Sequence, residues 1–365
     1  MSIFGCEAFD GHEQVVFCCD RDTGLQAIIA IHDTTLGPAL GGCRFWPYPD
    51  EAQALEDVLR LSRGMTYKAA MARLPLGGGK SVILGDPQRT KSRELLLAFG
   101  EAVARLGGRY IVAEDVGTSA EDMAIVRRMT RHVAGLSGAG GAGDPGPTTA
   151  LGVLYGIRAA VRHKLGRRSL KGCSVAVQGL GSVGYRLCQL LHGEGACLTV
   201  ADIDRSRVER AVKKLSATPS EPEAIIEVES DVFAACALGA VLDDRTIPRL
   251  RAAIVAGSAN NQLAEDRHGE LLRRRGILYA PDYVINAGGL ISVAREVLGH
   301  EGSGYDRERV LAEVAGIEEA LQEVFDHAER DQVPTNVVAD RTAEERLAAA
   351  AAAEVRLAQA ASGWA

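Results

Sequence analysis

The sequence predicts an α/β protein of two domains, the first built on a mixed sheet and the second a doubly wound parallel sheet with helices on its faces. Three observations predict it. The chain's 365 residues are enough for about two domains. A glycine-rich stretch, "SGAGGAGDPGP" at residues 137–147, separates regions of different pattern and reads as a hinge. Beyond it a strand, a glycine turn, a helix and a second strand follow in immediate succession.

The elements justify themselves in order. "LQAIIAIHD" is an apolar, β-branched run and reads as a strand. Asp50-Glu51-Ala52-Gln53 has the spacing of a capping box and opens a helix. That helix keeps Leu55, Val58, Leu59, Ser62 and Met65 on one stripe and stops before Pro75. "KSVILG" follows as a short strand, then "RYIVAED" (residues 109–115) as another, with Thr118 and Glu121 spaced to cap the next helix. After the hinge, "TTALGVLYGIRAAVRHKLG" is a helix. The alanine-rich "RLAAAAAAEVRLAQAA" near the end is helical by propensity and packs back on the body or on a neighbouring subunit. The expected domains are residues 1–136 with about 335–365, and residues 148–334, joined at 137–147.

Composition excludes several functions. A net charge of −7 with no basic run argues against nucleic acid. No apolar run is long enough to span a bilayer, and the N-terminus lacks a signal-peptide pattern, so the expected location is cytoplasmic. The eight cysteines and eight histidines are scattered without metal-ligand spacing, so no metal site is expected.

"LGGGKS" (residues 76–81) ends as a phosphate-binding P-loop ends. The loop needs a further glycine where this chain has Leu74, and Pro75 lacks an N–H to offer a phosphate. Lys80 therefore serves something else. A different glycine motif has the context it needs: Gly179-Leu180-Gly181-Ser182-Val183-Gly184 follows an apolar strand, opens a helix, and precedes a second strand ending at Asp202. This Rossmann fingerprint predicts a dinucleotide, with the pyrophosphate at the helix N-terminus. Asp202 would accept hydrogen bonds from a ribose diol and repel a 2′-phosphate, which favours NAD over NADP; Arg205 and Arg207 nearby keep NADP open.

Five further segments, "GPALGGCRFWPY", "GMTYKAAMARLPLGGGKSVI", "VAEDVGTS", "AGSANNQL" and "YAPDYVINAGGL", complete a pattern. Together with the fingerprint, they make the chain resemble the glutamate/leucine/phenylalanine/valine dehydrogenases, nearest the leucine branch, in order from about residue 20 to about 345. The resemblance implies reversible NAD-dependent oxidative deamination of an apolar L-amino acid to a 2-oxo acid, ammonium and NADH. It also implies a cleft between the domains whose closure excludes water, and a homo-oligomer, dimer or octamer.

The resemblance assigns residues as follows. Lys68, on the helix three positions after Met65, holds the substrate carboxylate, assisted by backbone around Gly41 and Gly42. Lys80 is the base for the attacking water. An unperturbed lysine, with a pKa near ~10.4, is a poor base at neutral pH, and burial or a neighbouring cation improves it. The glycines before it let the backbone pass close to the substrate. Asp115 shuttles protons to and from the amino group, Asn261 and its neighbour Asn260 lie near the amine and nicotinamide, and Thr149 contacts the carboxamide. Leu40 stands where glutamate-using relatives carry a lysine, and with Ala113, Leu290 and Val293 it lines an apolar pocket. Leu290 replaces a smaller valine usual in the leucine branch, implying a slightly tighter pocket. Aromatic amino acids are the alternative substrates. A non-catalytic NAD-binding sensor is the alternative of another class, and the presence of Lys68, Lys80 and Asp115 together argues against it.

Overall fold

The computed structural model describes residues 3–136, 143–299 and 305–362. It divides into two compact units: Met1–Asp144 with Val293–Asp306 and Ala343–Ala365, and Pro145–Ser292 with Arg307–Thr342.

The first unit contains β1 (Gln14–Asp20), β2 (Leu25–Asp33), β3 (Ala39–Trp46), α1 (Glu51–Met71), β4 (Gly77–Leu84), α2 (Arg93–Ala104), β5 (Tyr110–Glu114) and α3 (Ala120–Val126). The strands form one sheet in the order β1-β2-β4-β3-β5. It is mixed: β2 is antiparallel to both β1 and β4, while β3 is parallel to β4 and β5. Burial on both faces explains the near-continuous apolar run of β2. Ile28 and Ala30 join Leu55, Val58 and Leu59 of α1 on one side. Ala27, Ile29 and Ile31 join Leu95 and Phe99 of α2 on the other.

Two caps differ in detail from the sequence expectation. Asp50 does cap α1, its carboxylate accepting the Gln53 N–H at 2.8 Å, but the Gln53 amide turns onto that same carboxylate instead of completing a box. α3 is capped by Ser119, not Thr118, in a full box with Asp122. The Thr118 hydroxyl is unavailable because it donates to the Cys43 carbonyl at 2.8 Å. β4 also starts earlier than expected, at Gly77, so the three glycines lie inside the strand. Packing requires them there: a Cβ on Gly79 would sit 2.7 Å from the Tyr110 ring, and one on Gly78 would meet the backbone of Thr66 in α1.

The second unit runs through α4 (Gly146–Leu165), β6 (Ser174–Gln178), α5 (Ser182–Gly193), β7 (Cys197–Ala201), α6 (Arg205–Leu215) and β8 (Thr218–Pro219). It continues with β9 (Ser230–Ala235), β10 (Ala252–Val255), α7 (His268–Arg274), β11 (Leu278–Tyr279), α8 (Asp282–Ile285), the start of α9 (Gly288–Leu298), α10 (Arg307–Asp331) and the start of α11 (Thr335–Ser362). Its sheet has the order β11-β10-β9-β6-β7-β8 with every pair parallel. The strand order reverses beside β6, the switch point at which open α/β sheets bind ligands.

Of the expected hinge, residues 137–142 lie outside the described residues, and α4 already begins at Gly146. The units also exchange more chain than expected. Val293–Asp306, placed by the sequence reading in the second domain, belongs to the first unit. Glu296 explains this, because its carboxylate accepts the N–H groups of Gly135 and Leu136 at 3.0 and 3.2 Å. The C-terminal return begins at Ala343 rather than about 335. From there Glu344 accepts from the Tyr67 hydroxyl, and Arg346 donates to the last carbonyls of α1 at Ala70 and Met71. No helix among the described residues is long and apolar enough to cross a membrane.

Candidate active site

Lys80 lies in the middle of β4, opposite Ala30 of β2, with only 8% of its side chain exposed. Its Nζ is 2.5 Å from Oδ2 of Asp115, the residue that leaves β5. Asp115 is held by a tight turn. Its N–H donates to the Thr118 hydroxyl at 2.9 Å, and the Thr118 N–H returns to the Asp115 carbonyl. Arg44 of β3 reaches the same Oδ2 with Nε at 3.3 Å and gives Nη1 to Asp57 of α1 at 2.7 Å. The Tyr48 hydroxyl donates to that Asp57 oxygen at 2.6 Å. Burial alone would raise the Asp115 carboxyl, but Lys80 and Arg44 outweigh it and hold the group below the usual carboxylate range. Asp115 is therefore an anion across neutral and alkaline pH.

Gly41 and Gly42 sit on β3 next to Val112 and Ala113 of β5. A Cβ on Gly41 would land on the Gly79 carbonyl oxygen, so only glycine lets the strands approach there. The buried Tyr110 hydroxyl donates to the Gly41 carbonyl at 2.8 Å and lies 3.0 Å from the Ser81 hydroxyl. Burial pushes the Tyr110 phenol well up, which keeps it protonated as a donor. Lys68 and Met65 are half-buried on α1, Leu40 is fully buried on β3, and Ala113 is half-buried on β5.

In the second unit the glycine motif forms the turn from β6 into α5, as its spacing requires. Gly179 has a positive φ of 95°, and a Cβ on Gly184 would strike the Gly179 carbonyl. The direction a Gly181 side chain would take is open space, the kind of cradle a pyrophosphate fills. Leu180, Ser182 and Val183 supply backbone on the same turn. Asp202 ends up beside this loop, with a feature the sequence did not announce: Oδ2 already accepts the Leu180 N–H at 2.6 Å and Oδ1 the Asp204 N–H at 2.8 Å. It thus ties the second strand to the glycine turn, with lone pairs left over for a ligand hydroxyl. Arg207 stands 3.8 Å from it and 3.3 Å from Asp204.

Asn260 and Asn261 are exposed on the loop after β10, where Asn261 takes a φ of 50°. Asn286 donates to the Asn260 side-chain oxygen at 2.8 Å, and the buried Gln262 donates to the Gly257 and Ala259 carbonyls, so the loop is braced from within. Thr149 lies in the first turn of α4, its hydroxyl on the Pro145 carbonyl at 2.9 Å. Leu290 and Val293 are both half-buried on α9, but the unit boundary falls between them.

The structure thus joins Lys80 to Asp115 and Asp202 to the glycine turn. Arg44, Asp57, Tyr48, Tyr110 and Gln262 received no role from the sequence. The only signal for Arg44 was its place in "GGCRFW", two residues past the glycine pair.

Comparison with known proteins supplies independent findings. Residues 12–132 match the family model described as "Glu/Leu/Phe/Val dehydrogenase, dimerisation domain". Residues 140–206 and 200–361 match "Glutamate/Leucine/Phenylalanine/Valine dehydrogenase". The chain is 54% identical to the leucine dehydrogenase of Thermoactinomyces intermedius, over 95% of this chain and 94% of that one. Identity to the leucine dehydrogenase of Geobacillus stearothermophilus is also 54%, over 93% and 92%. Among solved structures, the L-tryptophan dehydrogenase of Nostoc punctiforme superposes with a TM-score of 0.82 at 46% identity, covering 93% of this chain and 97% of that one.

Proposed function

The chain belongs to the Glu/Leu/Phe/Val dehydrogenase family, and from that premise we propose that it catalyses the reversible, NAD-dependent oxidative deamination of a branched-chain L-amino acid. The products are the 2-oxo acid, ammonium and NADH. The observation that carries this reading is the buried contact of Lys80 with Asp115 at 2.5 Å. A sensor that only bound a dinucleotide would have no need of such a pair.

The residues divide the work. Lys68 and the backbone at Gly41–Gly42 hold the substrate carboxylate, with Tyr110 fixing the Gly41 carbonyl. The nicotinamide, when bound, supplies the two-electron sink that takes the Cα hydride. Water then adds to the substrate's iminium carbon as Lys80 accepts its proton. The carbinolamine collapses as its nitrogen is protonated, the C–N bond breaks and the hydroxyl proton is lost. Asp115 carries protons to the departing amine, and the short contact lets Lys80 pass on the one it received. Leu40, Ala113 and Val293 of the first unit are all apolar, so a distal carboxylate finds no cation among them. Since the first unit matches a dimerisation domain, the reading includes a homo-oligomer. Comparing kcat/KM for leucine, isoleucine, valine, phenylalanine and glutamate tests it. The aliphatic three come first, and a preference for phenylalanine would move the substrate class.

Asp202 sets the preference for NAD in this reading. Because it also holds the Leu180 N–H, Asp202→Asn is a better probe than alanine, keeping an acceptor while removing the charge. The expected result is a rise in the NADP/NAD ratio of kcat/KM by about tenfold or more, corresponding to ~1.4 kcal/mol. An unchanged ratio would assign cofactor choice to another residue.

A further inference from the structure

We propose that Arg44 is a positioning residue for the deamination chemistry: anchored by Asp57 and Tyr48, it clamps Oδ2 of Asp115 opposite Lys80 and so fixes which carboxylate oxygen exchanges protons with the substrate amine. This rests on the reading of Asp115 as the proton shuttle.

The geometry has three parts. Arg44 presents its guanidinium as a bridge, with Nε to Asp115 at 3.3 Å and Nη1 to Asp57 at 2.7 Å. One planar group thus spans from the end of β5 to the second turn of α1 and ties the Asp115 turn to the helix that carries Lys68. The bridge is itself held, because the Tyr48 hydroxyl donates to the Asp57 oxygen that Arg44 uses. Burial, then the hydrogen bond to Asp57, pushes the Tyr48 phenol far above its ordinary value, so this donor does not titrate in the working range. Finally, two cations converge on one atom: Nζ of Lys80 at 2.5 Å and Nε of Arg44 at 3.3 Å both meet Oδ2. Oδ2 faces both cations and takes up the proton that Lys80 passes on, so the proton given to the substrate amine leaves from Oδ1.

Arg44 also has an electrostatic effect. The groups coupled to Asp115 are Lys80 on β4, Arg44 and Cys43 on β3, and Tyr110 on β5, with Asp57 of α1 and Tyr48 beyond Arg44. Burial pushes the Cys43 thiol up to about 12 and Tyr110 well above its ordinary value, so both stay neutral. That leaves Lys80 and Arg44 as the charges that oppose burial and keep Asp115 ionised. Removing Arg44 raises the Asp115 carboxyl. The Lys80–Asp115 pair must give up a proton before Lys80 can act as base, and losing the Arg44 charge beside it makes that harder, so the acid limb of the pH profile moves up.

The test compares kcat and the pH dependence of kcat/KM for leucine in wild type, Arg44→Gln and Arg44→Lys. Arg44→Gln should lower kcat about 10–100-fold, in the range of a displaced proton-transfer group. It should also move the acid limb up by about half a pH unit or more and leave the Kd for NAD unchanged. Arg44→Lys keeps the charge but loses the fork. Its limb should stay near the wild-type position while kcat remains depressed. A wild-type acid limb and kcat in Arg44→Gln overturn the proposal. So does equal displacement of the limb in both variants, since the charge would then not matter. If Arg44→Gln melts below the assay temperature, Asp57→Asn carries the test: loosening the bridge should lower kcat about 3–30-fold with KM for leucine and NAD little changed, and a wild-type kcat overturns it. A wild type that turns over no amino acid would instead contradict the deaminase reading itself.

Discussion

Replacing Lys80 by alanine is expected to lower kcat by about 10²–10⁴-fold, the usual contribution of a positioned acid–base group. NAD affinity, followed by fluorescence titration, should hardly change, because the glycine turn and Asp202 belong to the other unit. The side chain is buried and its Nζ meets the Asp115 carboxylate, so water cannot take its place at no cost. The variant leaves Asp115 paired with Arg44 alone. A melting curve beside the kinetics separates loss of fold from loss of base. Retention of more than about a tenth of wild-type kcat would exclude an acid–base term of this size and with it the role given to Lys80.

Asp115→Asn is expected to have an effect of similar size, about 10²–10⁴-fold on kcat, because the amide keeps the shape of the carboxylate but cannot carry the proton. Lys80 and Asp115 act as a unit across 2.5 Å, so their losses should not add. The Lys80→Ala/Asp115→Asn double variant should be about as slow as the slower single variant. Fully multiplicative losses would show two independent groups and would contradict proton exchange between them.

Much of the fold and part of the candidate site were legible from local pattern. α1 announced itself through a 3.6-residue stripe and an acidic cap, and the β6–α5–β7 unit through a fingerprint whose first and third glycines have a steric reason. β3 was harder to see as a strand. "ALGGCRFW" carries two glycines that weaken any periodicity, and they are present because neighbouring backbone passes too close for a side chain. The one-residue error at the α3 cap has a similar origin. Thr118 and Ser119 each have an acid three residues on, and only the tertiary bond of Thr118 to Cys43 decides between them. Glu296 drew part of α9 into the first unit by capping Gly135 and Leu136, a contact between residues far apart in sequence. Arg44 was silent for the same reason. Its partners Asp57 and Asp115 come from separate elements, and nothing in the spacing of the three places them on one guanidinium.

Within the first unit, the pairing that closes the Lys80–Asp115 contact also sets the burial around it. The strand that carries Lys80 runs between β2 and β3, and its glycines let Tyr110 and Thr66 come close. Under the proposed roles chemistry and packing share that strand, and substitutions at Gly78 or Gly79 should change both.

The most direct measurement is of the reaction itself. Purified protein with L-leucine and NAD should form NADH, followed at 340 nm, together with 4-methyl-2-oxopentanoate and ammonium in equal amounts. The same products with reduced cofactor should run back to leucine. Glutamate should give negligible turnover, because its distal carboxylate would be buried without a partner. NADH formation without stoichiometric ammonium, or glutamate used as readily as leucine, would contradict the account at its centre.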